Sequence, residues 1–170
     1  HKFRTKSDTE VMLTAFEEWG VVDGVKKLNG MFAIALWDKK QKQLHLLRDR
    51  FGKKPLYFGW VGNDFVFASE LKSFHTHPDF TAEVSRENTA LYMQYGYVCA
   101  PHSIFKNIWQ LLPGSLVTLD FEKVKLNENL IKRQQKYWDL ADVVDNGKAN
   151  ISQKSEVELI NEFENMLEHT

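Results

Sequence analysis

The chain has 170 residues, of which 43% are hydrophobic, so it is long enough to bury the core of one domain. Its 22 basic and 23 acidic residues are interspersed and give a formal net charge of -1, which excludes a broad field for nucleic acid or an anionic membrane. A single cysteine excludes an intramolecular disulfide framework, and no apolar run approaches the roughly 20 residues of a membrane span, so we expect a cytoplasmic protein.

The first predicted element is a helix near the amino terminus. Residues 7–10 (SDTE) have the form of a capping box, and apolar residues follow at helical spacing as far as Trp19. Gly20 is expected to stop this helix. Residues 1–6 are basic but have no methionine start and no apolar segment behind them, which indicates that the sequence begins inside a longer protein.

Short apolar segments then alternate with polar turns, which predicts a β-meander. Strands are expected at residues 31–38, 44–47, 55–60 and 65–68. About four strands with such short connections are typical of an antiparallel sheet. Core packing explains the many aromatic residues in these segments.

Further helices and a hairpin are predicted in the middle of the chain. A short helix is expected at 69–74, and a longer one at 85–95 that ends at Gly96. A strand is expected at 115–120, with a partner strand at 123–127. These elements complete the predicted α+β domain.

The last part of the sequence predicts a domain boundary. Residues 127–136 are polar and expected to be mobile, and we assign residues 1–139 to the first domain. Residues 140–154 contain Gly, Asn and Lys and are interpreted as a linker. Residues 155–170 carry apolar side chains on one helical face, which predicts an amphipathic helix.

Several ordered motifs give the chain a family resemblance. They are SDTEV, LNGMFAIALWD, LHLLRDRFGKKPLYFGW, FVFASELKSF, IFKNIWQLLPGS and YWDL. Together they resemble the amino-terminal glutaminase domain of the glutamine-hydrolysing asparagine synthetases, class II amidotransferases with an N-terminal nucleophile. The resemblance implies stacked antiparallel sheets flanked by helices, of the αββα type. It also implies that residues 1–139 are the carboxy-terminal part of the glutaminase domain and residues 155–170 the first helix of the synthetase domain.

The resemblance implies chemistry in which an amino-terminal cysteine attacks the carboxamide of glutamine. Its own α-amino group, with an unperturbed pKa of about 8, can take the thiol proton near neutral pH. In the family the released ammonia passes to a synthetase domain that activates an acid with ATP and Mg. By its position in SDTE, Asp8 is the expected carboxylate partner of the glutamine α-ammonium group.

The sequence also departs from the family pattern. The Cys-Gly start, the arginine segment and the Asn-Gly-Glu stretch that precede SDTE are not in it, and neither is the SGG-D-S signature of the synthetase domain. We therefore expect a chain cut at both ends that contains no catalytic residue, binds no cofactor in this portion and hydrolyses no glutamine. Its expected partners are glutamine and the synthetase domain, and an exposed sheet edge leaves homodimer formation open.

Residues 48–54 (RDRFGKK) form a charged loop with too few glycines for a phosphate-binding loop. In the resembling family this loop is a scaffold near the pocket. Ser7, Arg48, Asp49 and Gly52 are accordingly interpreted as pocket scaffold residues. We expect Asp49 to pair with an arginine and Gly52 to supply a tight turn.

The cysteine and the histidines are not assigned to chemistry. Cys99 lies mid-chain, so it cannot use its own α-amino group as a base, and it is interpreted as a structural residue. His75 and His77 have no suitably spaced third ligand, and His102 is interpreted as a loop residue. No metal site is therefore expected.

The acceptor of the ammonia stays open at this point. Aspartate is the default, and a related amidotransferase that amidates a sugar acid in polysaccharide synthesis is the alternative. A non-catalytic binding module is a third interpretation. A glutaminase domain of a sugar-phosphate or ribosyl-amine amidotransferase is disfavoured by the KNIWQLLPGS and YWDL pair.

Overall fold

The computed structural model describes residues 1–168 and divides the chain into two compact units, His1–Asp139 and Leu140–Thr170. The predicted end of the last helix, at residues 169–170, lies outside the described residues. Within the described range, no helix is both long and apolar enough to cross a membrane.

The first unit contains helices and two antiparallel sheets, which confirms the predicted α+β class. Its helices are α1 (Asp8–Lys27) and α2 (Arg86–Tyr95), with short 3₁₀ helices at Leu71–Thr76 and Leu130–Arg133. Its strands are β1 (Ala33–Asp38), β2 (Gln43–Arg48), β3 (Tyr57–Val61), β4 (Asp64–Ala68), β5 (Ile108–Gln110), β6 (Ser115–Asp120) and β7 (Gln135–Lys136).

The strands pair in the orders β1-β2-β6-β7 and β4-β3-β5, which we call sheet A and sheet B. In sheet A, Leu46 of β2 lies opposite Ala35 of β1 and Val117 of β6. In sheet B, Phe58 of β3 lies opposite Phe67 of β4 and Trp109 of β5. Because side chains alternate along a strand, each sheet presents two different faces for packing.

Three hydrophobic clusters stack the elements in layers. Leu46 and Val117 of sheet A share the central cluster with Phe58 of sheet B, so the inner faces of the sheets pack together. The other face of sheet A, through Leu47, packs against Phe16 of α1. The other face of sheet B packs against the 3₁₀ helix at Leu71–Thr76 and nearby aromatic side chains. The order of layers is therefore helix, sheet, sheet and 3₁₀ helix, as expected for stacked sheets flanked by helices.

Helix α1 begins where the sequence predicts it, but its cap differs from a full capping box. The Ser7 hydroxyl accepts the Thr9 N–H at 3.2 Å. The Glu10 carboxylate instead accepts the backbone N–H groups of Arg4 and Thr5, at 2.9 and 2.7 Å. Gly20 breaks the helix as predicted, at φ 73° and ψ 167°, although helical structure resumes after it.

The later part of this unit differs from the sequence prediction in two places. Residues 123–127 form turns and not a strand, and β6 pairs instead with the two-residue strand β7. The segment 127–136, predicted to be mobile, contains a 3₁₀ helix whose Leu130 is fully buried in the central cluster. One leucine in a polar segment carries too little periodicity to reveal this anchoring.

The second unit consists of α3 (Leu140–Ala149) and α4 (Glu156–Glu168). The segment interpreted as a linker is thus mostly helical, because its Gly and Asn residues are outnumbered by residues compatible with a helix. At the start of α4, Ser155 and Glu158 form the reciprocal bonds of a capping box, with N–H to carboxylate at 2.8 Å and N–H to hydroxyl at 3.5 Å. Assignment of α4 to a following domain stays a prediction.

Candidate functional site

Asp8 lines a cavity of about 440 Å³ between the first turn of α1 and the segment that enters β1. Most of the lining is apolar, and the polar side chains are those of Asp8, Thr9 and Asn29. Such a mixture is typical of a small-molecule site. The lining residues are Asp8, Thr9, Val11, Met12, Leu28, Asn29, Met31, Phe32 and Ile34.

The Asp8 carboxylate is held by the start of its own helix. Its Oδ1 atom accepts the Thr9 N–H at 2.8 Å, next to the Ser7 hydroxyl that caps α1. The positive end of the helix dipole stabilises an anionic side chain at this position. Asp8 is exposed, so its second oxygen remains available to an ammonium group in the cavity.

Residues 28–32 form the opposite wall of the cavity, which we call the cavity wall. Arg50 donates two hydrogen bonds to the end of α1, from Nη1 to the Leu28 carbonyl and from Nη2 to the Lys26 carbonyl, both at 2.7 Å. At the other end of the wall, the Phe32 carbonyl accepts the Asp49 N–H at 3.0 Å. Loop 48–54 therefore holds the wall from both ends.

The Arg48 side chain closes this loop from the inside. It is 6% exposed and donates to three carbonyls, those of Gly52 at 2.6 Å, Leu111 at 2.5 Å and Lys54 at 2.9 Å. Burial lowers the pKa of the Arg48 guanidinium, and neighbouring Asp49 partly offsets this effect. The N–H groups of the guanidinium thus take the place of backbone N–H groups as donors to these carbonyls.

Asp49 is almost fully buried, and its side chain provides hydrogen-bond acceptors for the backbone of the same loop. Its carboxylate accepts the N–H groups of Phe51, Lys53 and Lys54, at 3.2, 2.9 and 2.9 Å. Among the described residues, no hydrogen bond or salt bridge joins the Asp49 carboxylate to an arginine, although its charge raises the pKa of neighbouring Arg48. Backbone donors satisfy the carboxylate because the tight turn points them at it.

Gly52 supplies the tight turn that the sequence predicts. Its φ is +63°, and its N–H donates to the Asp49 carbonyl at 3.0 Å. A Cβ at this position would lie 2.8 Å from Pro113 Cγ and 2.9 Å from Arg48 Cζ. Backbone conformation and space both require glycine here.

Of the predicted site residues, only Asp8 lines the cavity. Ser7 caps the helix that presents it, while Arg48, Asp49 and Gly52 form the loop behind the cavity wall. Sequence reasoning missed Arg50 and the cavity wall. The RDR sequence was visible, but the target of its second arginine lies 22 residues away in the chain and has no sequence signature.

Tyr137 ties the loop to the carboxy-terminal end of the unit. Its hydroxyl donates to the Arg48 carbonyl at 2.7 Å. Burial raises the pKa of Tyr137 to about 12, while nearby Arg50 lowers it and Asp49 raises it. The phenol is therefore protonated in the folded chain at pH values where an unfolded tyrosine has already lost its proton.

We expect Tyr137→Phe to lower the free energy of unfolding at neutral pH by about 1 kcal/mol, through loss of one hydrogen bond. In the unmodified chain, this contribution is present below about pH 10 and is lost as pH rises toward about 12, because the unfolded state releases the proton first. Urea unfolding across that interval should show a steeper alkaline loss for the unmodified chain than for Tyr137→Phe. The exposed tyrosine variant Tyr95→Phe should keep the steep loss, and equal slopes in all three proteins would contradict the assignment.

A second cavity, of about 690 Å³, lies between α1 and the hairpin of β1 and β2. His45 lines it, and the imidazole Nδ1 lies 2.9 Å from the Thr118 hydroxyl. Burial lowers the pKa of His45, so the ring is neutral near pH 7. None of the predicted site residues lines this cavity, and we assign it no chemistry.

The remaining chemical candidates have structural surroundings. His75 packs edge-on against Phe80, with ring centroids 5.1 Å apart, and His77 Nε2 lies 3.2 Å from an Asp64 carboxylate oxygen. Cys99 is a free, half-buried thiol. In residues 1–168, no group of three or more His, Cys, Asp and Glu side chains could hold a metal ion.

Comparison with known proteins places these features in a family context. A family model described as "Glutamine amidotransferase domain" matches residues 1–138. A putative asparagine synthetase [glutamine-hydrolyzing] of Methanocaldococcus jannaschii is 35% identical over 140 residues, 81% of this chain and 26% of that protein. Asparagine synthetase [glutamine-hydrolyzing] 3 of Bacillus subtilis is 41% identical over 128 residues, 75% of this chain and 20% of that protein.

A third relative carries a different name. Amidase chry2 of Gibberella zeae is 28% identical over 142 residues, 82% of this chain and 19% of that protein. The chain therefore spans between 19% and 26% of the length of these relatives, and most of each relative lies outside the match.

Proposed function

The chain belongs to the glutamine amidotransferase domain family, and on that premise we propose that its Asp8 cavity binds glutamine as the source of ammonia. In this proposal the Asp8 carboxylate receives the α-ammonium group of glutamine. The apolar wall packs against the aliphatic part of the substrate. The observation that carries the proposal is the exposed carboxylate at the first turn of α1, facing a cavity of about 440 Å³.

Charge and space both support this assignment. An ammonium group that donates to a carboxylate forms a charge-assisted hydrogen bond, which is stronger than one between neutral groups. Thr9 and the cap of Ser7 fix the direction of the carboxylate, so little side-chain entropy is lost on binding. A cavity of this size accommodates a single amino acid, whereas a peptide would need an open groove.

We further propose that the ammonia serves ATP-dependent amidation of a carboxylic acid elsewhere in the protein, with aspartate as the acceptor. Two of the relatives are named asparagine synthetases, which supports aspartate. The third is named an amidase, so an acceptor other than aspartate remains the alternative. In this proposal, ATP and Mg are bound by the synthetase domain.

The experiment that tests the site replaces Asp8 with asparagine in the complete gene product. We expect the kcat/KM for glutamine to fall by roughly 10- to 150-fold, which corresponds to loss of one charged hydrogen bond. Synthesis from free ammonia should be unchanged, because ammonia bypasses the glutamine site. Steady-state assays with each nitrogen source measure the two activities separately.

Glu87→Gln is the matched control, since Glu87 is an exposed acid in the first turn of α2 and lines none of the described cavities. It should leave both activities unchanged. Equal loss of glutamine-dependent and ammonia-dependent synthesis in Asp8→Asn would show that Asp8 is structural. An unchanged glutamine kcat/KM would rule out Asp8 as a contact for the substrate.

A further inference from the structure

The cavity wall has few internal constraints. Among the described residues, the backbone groups of residues 29–31 form no hydrogen bonds. Gly30 lies at φ +119° with open space around it, and Met31 is 64% exposed. A short segment with a glycine, no backbone partners and little burial is free to move unless its ends are fixed.

The ends are held by the packing of Leu28 and Phe32 against a hydrophobic cluster and by loop 48–54, in which Arg50 provides the side-chain hydrogen bonds. Its guanidinium spans two carbonyls, of Lys26 and Leu28, with both distances at 2.7 Å. These are carbonyls at the carboxy-terminal end of α1, where no intrahelical N–H is available to them. A positive charge at the negative end of the helix dipole adds to the attraction.

We infer that Arg50 is a positioning residue for glutamine, which holds the cavity wall at the distance from Asp8 that the substrate requires. It lines no described cavity, so it acts through Leu28 and the residues that follow. This inference rests on the proposed function of the Asp8 cavity. It predicts that loss of Arg50 weakens glutamine binding although Arg50 makes no contact with glutamine.

Lysine cannot fully replace arginine in this role. A planar guanidinium presents parallel N–H donors that reach two carbonyls at once, whereas an ammonium group concentrates its charge at one point. Arg50→Lys keeps the charge at the helix end, and Arg50→Gln removes it. Comparing the two variants therefore separates the effect of the paired N–H donors from the effect of the positive charge.

The test measures wall mobility and glutamine use in the complete gene product. For Arg50→Gln we expect amide hydrogen exchange to accelerate about tenfold at the two hydrogen-bonded amides that bound the wall, those of Leu28 (to the Val25 carbonyl) and Asp49 (to the Phe32 carbonyl). The KM for glutamine should also rise about tenfold, as for loss of charge-assisted bonds. The kcat with free ammonia should be unchanged. Arg50→Lys should restore part of both effects, and the exposed Arg86→Gln should show neither.

Two variants distinguish positioning from general stability and from failure of the site itself. Gly96→Ala places a side chain at positive φ at the end of α2 and touches neither loop 48–54 nor the cavity wall, so it should lower stability and leave the glutamine KM unchanged. Faster exchange in Arg50→Gln with an unchanged KM would overturn the positioning role, and so would unchanged exchange. If Asp8→Asn also leaves glutamine use unchanged, the Asp8 site is wrong and the inference falls with it. A loss in the Arg50 variants with no loss in Asp8→Asn would overturn both the Asp8 contact and the positioning of the wall relative to Asp8, whereas a loss in Asp8→Asn alone would overturn only the role of Arg50.

Discussion

Replacing Arg48 with methionine is expected to lower the free energy of unfolding by about 3 kcal/mol. Methionine has a similar length and fills much of the same space, but it donates no hydrogen bond. The carbonyls of Gly52, Lys54 and Leu111 would all lose their donor in a site where Arg48 is 6% exposed. Burying an uncharged methionine avoids the cost of desolvating the guanidinium charge, which offsets part of the loss.

Urea unfolding of the unmodified chain and of Arg48→Met measures this difference. Arg133→Met is the matched control, because Arg133 is partly exposed and its guanidinium bonds a carboxylate, that of Glu128, at 2.8 Å. Its loss should be clearly smaller, since a pair that water reaches contributes little to stability. Equal losses in the two variants would show that the buried fork of Arg48 does not hold the loop.

The elements with strong local signals were predictable from sequence. The strand at Ser115–Asp120 was predicted with its bounds, and α2 was predicted to within one residue at its start and with its end at Gly96. These segments combine periodicity with clear start and stop residues, so local chemistry determines them. The stacked antiparallel sheets followed from the family resemblance and were confirmed.

The errors occurred where distant partners determine the structure. β5 has three residues and is extended where it pairs with β3, which lies about 50 residues earlier in the chain. Residues 123–127 alternate like a strand but find no partner, and they remain turns. Pairing between distant segments cannot be read from a short window of sequence.

In the candidate site, too, local sequence signals were predictable and contacts between distant residues were not. Asp8 was identified through its motif, and the structure places it on a cavity. Its glutamine contact stays a prediction. The supporting interactions of Arg50 and Tyr137 cross 22 and 89 residues of sequence, and they bond to backbone carbonyls that every residue type offers. A carbonyl acceptor leaves no mark in the sequence, so such anchors are found only in the structure.

Replacing Gly52 with alanine is expected to lower the free energy of unfolding by about 3 kcal/mol. About 1 to 2 kcal/mol comes from placing an L side chain at positive φ. The rest comes from the contacts of the new Cβ, at 2.8 Å from Pro113 Cγ and 2.9 Å from Arg48 Cζ. Neither neighbour can yield freely, because the proline ring is rigid and Arg48 is fixed by its hydrogen bonds to three carbonyls.

Gly96→Ala separates these two contributions. Gly96 also has a positive φ, +78°, but a Cβ there would meet nothing within 4 Å. The free energy of unfolding of Gly96→Ala should therefore fall only by the cost of the backbone conformation, about 1 kcal/mol. If the two glycine variants lose equal stability, measured by urea unfolding, the contact with Arg48 carries no cost. If Gly52→Ala loses more, the double variant Gly52→Ala with Arg48→Met should lose less than the sum of the single losses, because removing the guanidinium relieves the overlap.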